Sequence, residues 1–309
     1  MMANAAVLEA PAGAPRARSR LSQLRSAVER RLHDLAPPEH RGNALSEAVR
    51  YALLAPGKRI RPLLVLLACD ELGRHDLSAL DAACALEMVH AASLVLDDLP
   101  SMDDAATRRG RPSTHIRFGQ DVAILASVSL LASAFGTVAT SAALDSAARA
   151  RVSAILAMAI GTEGLAGGQY ADLRIPTRTR PVDHVSQANQ RKTAALFVAA
   201  VEMAEATQPA SGHGGEALRG FGAHLGQAFQ ILDDLEDGEA SLDAPAEDAG
   251  RTTLVGLLGR AEAGERLRTH LERALDGLNP DGDLASFVAG IFAGGFDRPR
   301  AASATVARA

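Results

Sequence analysis

Two short acidic clusters, each directly after an apolar run, limit what this chain can fold into more than any other feature of its sequence. The first cluster spans residues 97–104 after the apolar run 91–96, and the second spans 233–237 after 228–232. Crowded carboxylates repel one another, so they stay ionised at neutral pH only where cations lie among them. All-oxygen ligands favour hard divalent ions such as Mg²⁺, whose shell is often completed by substrate phosphates. The clusters therefore predict two carboxylate banks that face each other across a cavity, with Mg²⁺ and a diphosphate between them.

Helix geometry supports this interpretation at both clusters. Asp233 and Asp237 are four residues apart, so they share one face of a helix. In the first cluster Pro100 removes a helical hydrogen bond and bends the chain, which could bring Asp103 back toward Asp97. A solvated acidic helix end remains the alternative for either cluster taken alone, but the presence of two such clusters favours a functional site.

The rest of the pattern predicts an all-α protein. Apolar residues recur at 3.6-residue spacing through the 309 residues, strand-like alternation is scarce, and the chain has ten aromatic residues and no Trp. The net charge of -5 gives no reason to expect a nucleic-acid partner. Cys69 and Cys84 lie in apolar helical segments, so we predict buried thiols in a reducing cytosol, which indicates a cytoplasmic protein without a disulfide.

The chain is predicted to form one large domain over residues 21–295. Residues 1–20 are rich in Ala, Pro and Arg and are predicted to be a disordered tail, with a transit peptide as the alternative. Residues 296–309 are predicted to be a frayed C-terminal tail. Residues 122–144 carry no charge over 23 positions, which raises the question of a membrane span. Six hydroxyl residues and a glycine dilute this run, so a buried core helix is the better interpretation and no membrane span is predicted.

Basic side chains lie close to the acidic clusters in the sequence. Residues 58–61 hold three cations just before a proline that can begin a helix, where exposed N–H groups also attract anions. Arg108 and Arg109 follow the first cluster, and their planar guanidinium groups suit phosphate oxygens. Surface decoration is the alternative for each stretch.

Lysine usage points to the same chemistry. The chain has only two lysines, Lys58 and Lys192, against thirty arginines. Both are candidate phosphate contacts, with coincidence as the alternative. His90 lies two turns before the first acidic cluster on a mostly apolar helix, so a phosphate contact and a satisfied core residue are both open for it.

Taken together, these motifs resemble those of the trans-isoprenyl diphosphate synthases and, within that family, the bacterial-type geranylgeranyl diphosphate synthases. The match runs from about Gly57 to Gly259. It is carried by the segments Gly57–Pro62, Glu87–His90, Asp97–Asp103, Arg108–Gly110, Lys192–Thr193 and Phe229–Asp234.

The resemblance implies a single polyprenyl synthase domain with the isoprenoid synthase fold, in which helices surround a deep central cavity, usually in a homodimer. It implies that three Mg²⁺ ions hold an allylic diphosphate (dimethylallyl, geranyl or farnesyl) between the two acidic clusters. The allylic C–O bond ionises, isopentenyl diphosphate attacks the allylic cation, and a proton is then lost. The chemistry agrees with the residues, because metals and cations neutralise the departing diphosphate and an apolar cavity excludes water.

The resemblance also implies roles for individual residues. The metal ions are expected to be bound by Asp97, Asp103 and Asp233, with support from Asp98, Asp234 and Asp237. The allylic diphosphate is expected to contact Arg108 and Lys192, and isopentenyl diphosphate is expected to contact Lys58, Arg61, His90 and Arg109. Thr193 and Gln230 are expected to direct oxygen dipoles at the cation, and Arg251 is expected to contact substrate.

Product length is expected to depend on small side chains below the first cluster. Ala92 occupies the position where resembling enzymes that stop at fifteen carbons carry a bulky aromatic residue, and its neighbour Ser93 is also small. A twenty-carbon product is therefore predicted, with a fifteen-carbon product as the alternative. Two features depart from the family pattern: Arg251 replaces the usual lysine, and Ser127–Val128 replace a common Gly–Asp pair.

Two other functions use related features. A terpene cyclase also ionises an allylic diphosphate on acidic motifs, but it would not need the second basic site of Lys58, Arg61 and Arg109. A noncatalytic subunit would be expected to have lost one acidic cluster, and both are intact here.

Overall fold

The computed structural model describes residues 15–39, 42–174, 194–208, 215–240 and 254–293, and these residues are helical apart from turns and one short hairpin. The prediction of an all-α protein is confirmed. The elements are α1 (Pro15–Leu35), α2 (Ala44–Leu53), α3 (Ile60–Glu71), α4 (Leu80–Asp97), β1 (Thr107–Arg108), β2 (Arg111–Pro112), α5 (Thr114–Phe118), α6 (Gln120–Thr140), α7 (Ser146–Ile160), α8 (Leu165–Arg174), α9 (Ala195–Ala206), α10 (Gly215–Ala240), α11 (Leu254–Leu258), α12 (Arg260–Leu275) and α13 (Asp283–Phe292).

Helices α3 and α4 form the centre of the core. Almost every side chain from Pro62 to Asp70 on α3 and from Ala82 to Val89 on α4 is buried. A helix that is apolar all round needs neighbours on every side, and α1, α6, α9 and α13 supply them. Burying one Leu or Phe side chain contributes about 1.5–3 kcal/mol, so this centre holds the end of α4 in a fixed position.

Helix α1 begins at Pro15, six residues before the predicted start of the domain at residue 21, so it enters the segment predicted to be a tail. Arg20 explains part of the extension, because its Nε and Nη2 donate to the Asp70 carboxylate of α3 at 2.9 and 2.7 Å. This long-range ion pair has no signature in the local sequence. Residues 1–14 and 294–309, which include most of both predicted tails, lie outside the described residues.

Helix α6 has two apolar faces with different surroundings. One face is buried in the core against α4, with Ala126, Leu130 and Ala134 fully covered, as predicted. The opposite face is exposed and also apolar, which the sequence interpretation did not foresee: Leu125 and Val128 are 52% and 57% exposed. By length and composition, α6 is the one helix among the described residues that could cross a membrane.

Residues 146–174 form two helices, α7 and α8, with a break between them. The chain breaks between Gly161 and Gly164, where backbone segments approach closely. A Cβ on Gly164 would lie 2.1 Å from the carbonyl oxygen of Ala159, a distance at which only glycine fits.

Candidate active site

The first acidic cluster forms a tight reversal at the end of α4. The helix ends at Asp97, and Asp98 closes its last turn by donating its N–H to the Leu94 carbonyl. The chain then returns on itself, since the N–H of Asp103 donates to the carbonyl of Asp97 at 2.9 Å. The predicted return of Asp103 toward Asp97 is therefore present at the level of the backbone, and both side chains are half-buried.

The hairpin β1–β2 places Arg108 beside this reversal. Arg109 and Gly110 form its two-residue turn with φ of 53° and 73°, which is the turn geometry that antiparallel strands favour. Arg108 donates from Nε and Nη2 to Oδ1 of Asp98 at 2.9 and 2.5 Å. Burial lowers the pKa of Arg108, but the bond to Asp98 and its charge outweigh that effect and raise the pKa overall. Asp98 is 2% exposed, and its carboxylate holds that guanidinium in place through these two bonds.

The guanidinium of Arg109 lies against the basic turn that precedes α3. Its Nη1 donates to the carbonyl of Pro56 at 3.1 Å, and a Cβ on Gly57 would come within 2.6 Å of the same atom. The absence of a side chain at Gly57 leaves room for the guanidinium of Arg109 in this position, and a larger residue would displace the end of that side chain. Burial lowers the pKa of Arg109 from its ordinary value, although the group remains a cation at neutral pH.

Arg61 and His90 meet between α3 and α4. Arg61 Nη1 lies 3.2 Å from His90 Nε2, and the guanidinium carbon lies 5.0 Å from the ring centre of Phe197. Burial lowers the pKa of Arg61 to about 10. The pKa of His90 lies well below its ordinary value because the ring is desolvated and faces the charges of Arg61 and Arg109.

The second acidic cluster lies inside α10 rather than at its end. Gln230 donates from Nε2 to Oδ1 of Asp234 at 2.8 Å, and Asp234 is 8% exposed. The negative charge of Asp233 acts on Arg61, which joins this cluster to the basic turn and through it to His90. The charge of Arg61 also acts on Arg109, and that of Arg109 on Arg108, which faces the carboxylates of the first cluster. Arg61, Arg109 and Arg108 thus form a row of cations between the two acidic clusters.

Helix α10 is held close to α9 by glycine. A Cβ on Gly226 would lie 2.5 Å from the Cα of Ala194, so the two helices touch backbone to backbone at this point. The rings of Phe197 and Phe229 pack together one turn further along, with centroids 5.3 Å apart. These contacts set the position of Asp233 relative to α3.

The remaining residues of the predicted site differ in exposure and contacts, and some lie outside the described residues. Lys58 is exposed, and its carbonyl accepts a hydrogen bond from Arg25 at 3.1 Å. Ala92 is fully buried, and Ser93 donates to the carbonyl of His90 at 2.9 Å. Predictions for Lys192, Thr193 and Arg251 lie outside the described residues, as does the side chain of Asp237.

Two site residues were missed by sequence reasoning, Arg59 and Glu87. Both are 3% exposed, and Arg59 Nη1 donates to Glu87 Oε1 at 2.8 Å. The available signal was Glu87 itself, a single carboxylate in an apolar helical run, because buried acids are almost always paired. An open cavity lies beside this pair, between α2, α4 and the hairpin. Its lining includes Arg59, Glu87, His90, Asp98, Arg108 and Arg109.

Comparison with known proteins gives this site a family. Residues 42–251 match the polyprenyl synthetase family. The chain is 46% identical over 266 residues to a geranylgeranyl diphosphate synthase of Pantoea ananas, covering 85% of this chain and 88% of that protein. A geranylgeranyl diphosphate synthase of Pseudescherichia vulneris is 42% identical over 255 residues, covering 81% and 83%. The chain belongs to the polyprenyl synthetase family.

A solved structure agrees with this membership. The crystal structure of a geranyltransferase from Legionella pneumophila superposes with a TM-score of 0.80 at 30% identity, covering 90% of this chain and 96% of that one. The fold is the all-α isoprenoid synthase fold, as predicted. As a polyprenyl synthetase, the protein is a prenyltransferase that acts on isoprenoid diphosphates, in a family that uses divalent metal ions.

The residues of this polyprenyl synthetase fit such ions. Among the described residues, no three acidic, His or Cys side chains converge on one point. Each acidic cluster instead offers one or two carboxylates, which is how proteins hold Mg²⁺ when water and substrate phosphates complete its shell. Asp97 and Asp103 at the α4 reversal and Asp233 on α10 are the side chains suited to this task.

Proposed function

We propose that the protein condenses isopentenyl diphosphate head to tail with an allylic diphosphate and makes geranylgeranyl diphosphate, the twenty-carbon product. The main support is the row of cations that runs between two acidic clusters, in a chain whose relatives at 46% and 42% identity carry that name. One diphosphate needs only one basic site, whereas Arg108 and the pair Arg61–Arg109 offer two. This second site favours condensation of two diphosphates over cyclisation of one.

The metal sites follow from the carboxylates. We propose three Mg²⁺ ions, two held by Asp97 and Asp103 and the third by Asp233, with Asp98, Asp234 and Asp237 in support. When bound, the ions neutralise the charge that develops on the leaving diphosphate. Arg108 and Lys192 bind the same diphosphate, and Asp98 keeps Arg108 turned toward it.

The protein residues then guide the bond changes. The allylic C–O bond breaks, its electron pair leaves with the diphosphate, and the double bond of isopentenyl diphosphate forms the new C–C bond to the allylic cation. Lys58, Arg61, His90 and Arg109 hold the diphosphate of that second substrate. The released diphosphate accepts the proton lost from the product, so no side-chain base is required. Thr193 and Gln230 direct oxygen dipoles toward the cation, and Arg251 adds a substrate contact.

One assay separates this function from its rivals. Purified protein is incubated with isopentenyl diphosphate, Mg²⁺ and dimethylallyl, geranyl or farnesyl diphosphate in turn, and the dephosphorylated products are separated by chromatography. We expect a twenty-carbon alcohol. A product that stops at fifteen carbons would identify a farnesyl diphosphate synthase, no use of isopentenyl diphosphate would indicate a cyclase, and no turnover would indicate a noncatalytic subunit.

Variants of the proposed metal ligands test the same mechanism. Asp97→Ala or Asp233→Ala should lower kcat by at least about 100-fold, since even partners behind a metal ligand are worth 10- to 100-fold. Asp104→Asn is the matched control, because Asp104 is an exposed carboxylate of the same cluster and should leave kcat within about twofold. If Asp97→Ala kept wild-type kcat in Mg²⁺, a mechanism with metal ions held between the two acidic clusters would be wrong.

We also propose that the protein is a cytoplasmic homodimer. The support for a dimer is the apolar surface of α6 and its neighbours, where Leu125, Val128 and Met158 are 52%, 57% and 74% exposed. Val128 stands where the family commonly has Asp, so its presence enlarges this surface. The support for the cytoplasm is that Cys69 and Cys84 are free and buried in the core.

A further inference from the structure

The basic turn before α3 has an unusual backbone conformation. Arg59 is the residue that caps α3, and its φ of 53° and ψ of 39° place it in the left-handed region. A non-glycine residue there is strained and persists only where its surroundings hold it. Lys58 and Arg61 lie on either side of this residue, so the direction of both depends on it.

The side chain of Arg59 supplies the restraint. Its Nη1 donates to Glu87 on α4 and its Nε donates to Glu29 on α1, both at 2.8 Å, while Nη2 donates to the carbonyl of Ala55 at 2.9 Å. The side chains of Arg59 and Glu87 are 2% and 3% exposed, whereas that of Glu29 is 43% exposed. A buried ion pair adds little net stability over apolar residues of the same size. What the pair can add is a defined position for the turn.

The second contact of the turn lies one helical turn further along α4. Arg61 reaches His90 at 3.2 Å, three residues after Glu87 on the same face of the helix. The basic turn therefore contacts α4 at two neighbouring points. Arg59 makes one contact, with Glu87, and Arg61, a proposed diphosphate ligand, makes the other, with His90.

We propose that Arg59 is a positioning residue for the isopentenyl diphosphate site: its buried ion pair with Glu87 holds the left-handed turn that presents Lys58 and Arg61 to the diphosphate. Arg59 does not touch the substrate in this proposal, which rests on the function proposed above. Its effect is confined to the binding of isopentenyl diphosphate, because the allylic diphosphate is bound by Arg108 on the hairpin and by Lys192.

The decisive variant replaces both partners together, as Arg59→Met with Glu87→Leu. Changing Arg59 alone would remove one positive charge near the diphosphate and weaken binding through space, whatever its effect on position. The double variant leaves the local net charge unchanged and leaves neither partner buried without its counterion, so its main effect is the loss of the restraint. Glu29, which keeps its charge, is exposed enough to be solvated.

The matched control is Arg31→Gln with Asp81→Asn. This pair also joins α1 to α4, through Arg31 Nε and Asp81 Oδ1 at 2.8 Å, but lies away from the basic turn. We expect the Arg59/Glu87 double variant to raise KM for isopentenyl diphosphate by about tenfold or more, the equivalent of one charged contact. Its kcat and its KM for the allylic substrate should stay within about twofold of wild type. In the control variant, kcat and both KM values should stay within the same limit.

Three results would overturn the proposal: an unchanged KM for isopentenyl diphosphate in a double variant with wild-type Tm, equal increases in both KM values, or the same selective increase in the control. If the double variant does not fold, Arg59→Lys tests the proposal instead. Lysine retains the charge but cannot contact Glu87 and Glu29 at the same time with a planar guanidinium, so this variant should raise KM for isopentenyl diphosphate selectively. A wild-type protein that fails to use isopentenyl diphosphate would refute the proposed function itself, whereas these results bear on positioning alone.

Discussion

At the scale of single residues, His90 shows how an uncharged side chain can serve a site for anions. Arginine has hydrogen-bond donors and no acceptor, so His90 Nε2 must accept from Arg61 and Nδ1 must carry the ring proton. Desolvation and the charges of Arg61 and Arg109 lower the pKa of His90, so the ring is neutral at pH 7. A neutral ring relieves repulsion within the row of cations and can still donate a hydrogen bond to a phosphate.

The two arginines of the hairpin should separate the two substrates. Arg109→Ala should raise KM for isopentenyl diphosphate, and Arg108→Ala should raise KM for the allylic diphosphate, each by a contact worth about 1.5–3 kcal/mol, or roughly 10- to 100-fold. Steady-state kinetics with one substrate varied at a time provide the measurement.

The control for this pair lies in the same hairpin. Arg111 carries the same charge, but its guanidinium lies 3.9 Å from the ring centre of Tyr51. Arg111→Ala should therefore change both KM values by no more than about twofold. Equal effects of Arg108→Ala and Arg109→Ala on both substrates would argue against two separate diphosphate sites.

Ala92 provides the residue-scale test of product length. It lies five residues before Asp97 on α4, about 7.5 Å deeper along the helix axis, and its side chain is fully buried. We expect Ala92→Tyr to shift the product from twenty to fifteen carbons, because the added ring must strain or displace a longer chain. Ala147→Tyr, at an exposed position of α7, should leave the product unchanged. Chromatography of the dephosphorylated products decides, and an unchanged product in Ala92→Tyr would place the floor of the cavity elsewhere.

At the scale of elements, the packing of α10 against α12 contains a pair of histidines. His224 and His270 approach Nδ1 to Nδ1 at 3.0 Å, a contact that holds one proton between the two rings. Burial lowers both pKa values, helped by the charge of Arg273 and, for His270, of His224 and Arg266. Because α10 carries Asp233, this contact bears on the second acidic cluster as well as on stability.

The histidine pair should make folding stability depend on pH. Both pKa values lie below the unfolded value of about 6.5, so the unfolded chain binds more protons below that pH. The stabilisation is therefore present above pH about 6.5 and is lost as the pH falls. We expect the urea midpoint of wild type to fall between pH 7.5 and 5.5 more steeply than that of His224→Gln/His270→Gln. His33→Gln, on the exposed face of α1, should keep the wild-type slope, and equal slopes for wild type and the double variant would contradict this account.

At the scale of the whole molecule, the exposed apolar face of α6 is the feature that a monomer leaves unexplained. Monomeric proteins rarely expose large contiguous apolar patches, and the same patch on two copies is the usual basis of a two-fold dimer. We expect wild type to be a dimer by light scattering after gel filtration and Leu125→Lys/Val128→Glu to be a monomer. Leu77→Lys, which alters a 43% exposed side chain elsewhere, should leave the dimer intact. A wild-type monomer at micromolar concentration would refute the proposal.

What the sequence by itself determined was the helical class and the chemistry of the two acidic clusters. Helical class follows from periodicity, and the demand of crowded carboxylates for cations follows from residue type, so both are local properties. The return of the chain after Pro100 was predictable for the same reason, because proline cannot continue a helix.

Only the tertiary structure decided which charges meet. The pairing of Asp98 with Arg108, the space that Gly57 leaves for Arg109, and the burial of Arg59 against Glu87 all join residues distant in sequence. The exposed face of α6 was hidden for a related reason: a helix that is apolar on every side has no periodicity to tell core from surface, and only its neighbours determine which face is covered.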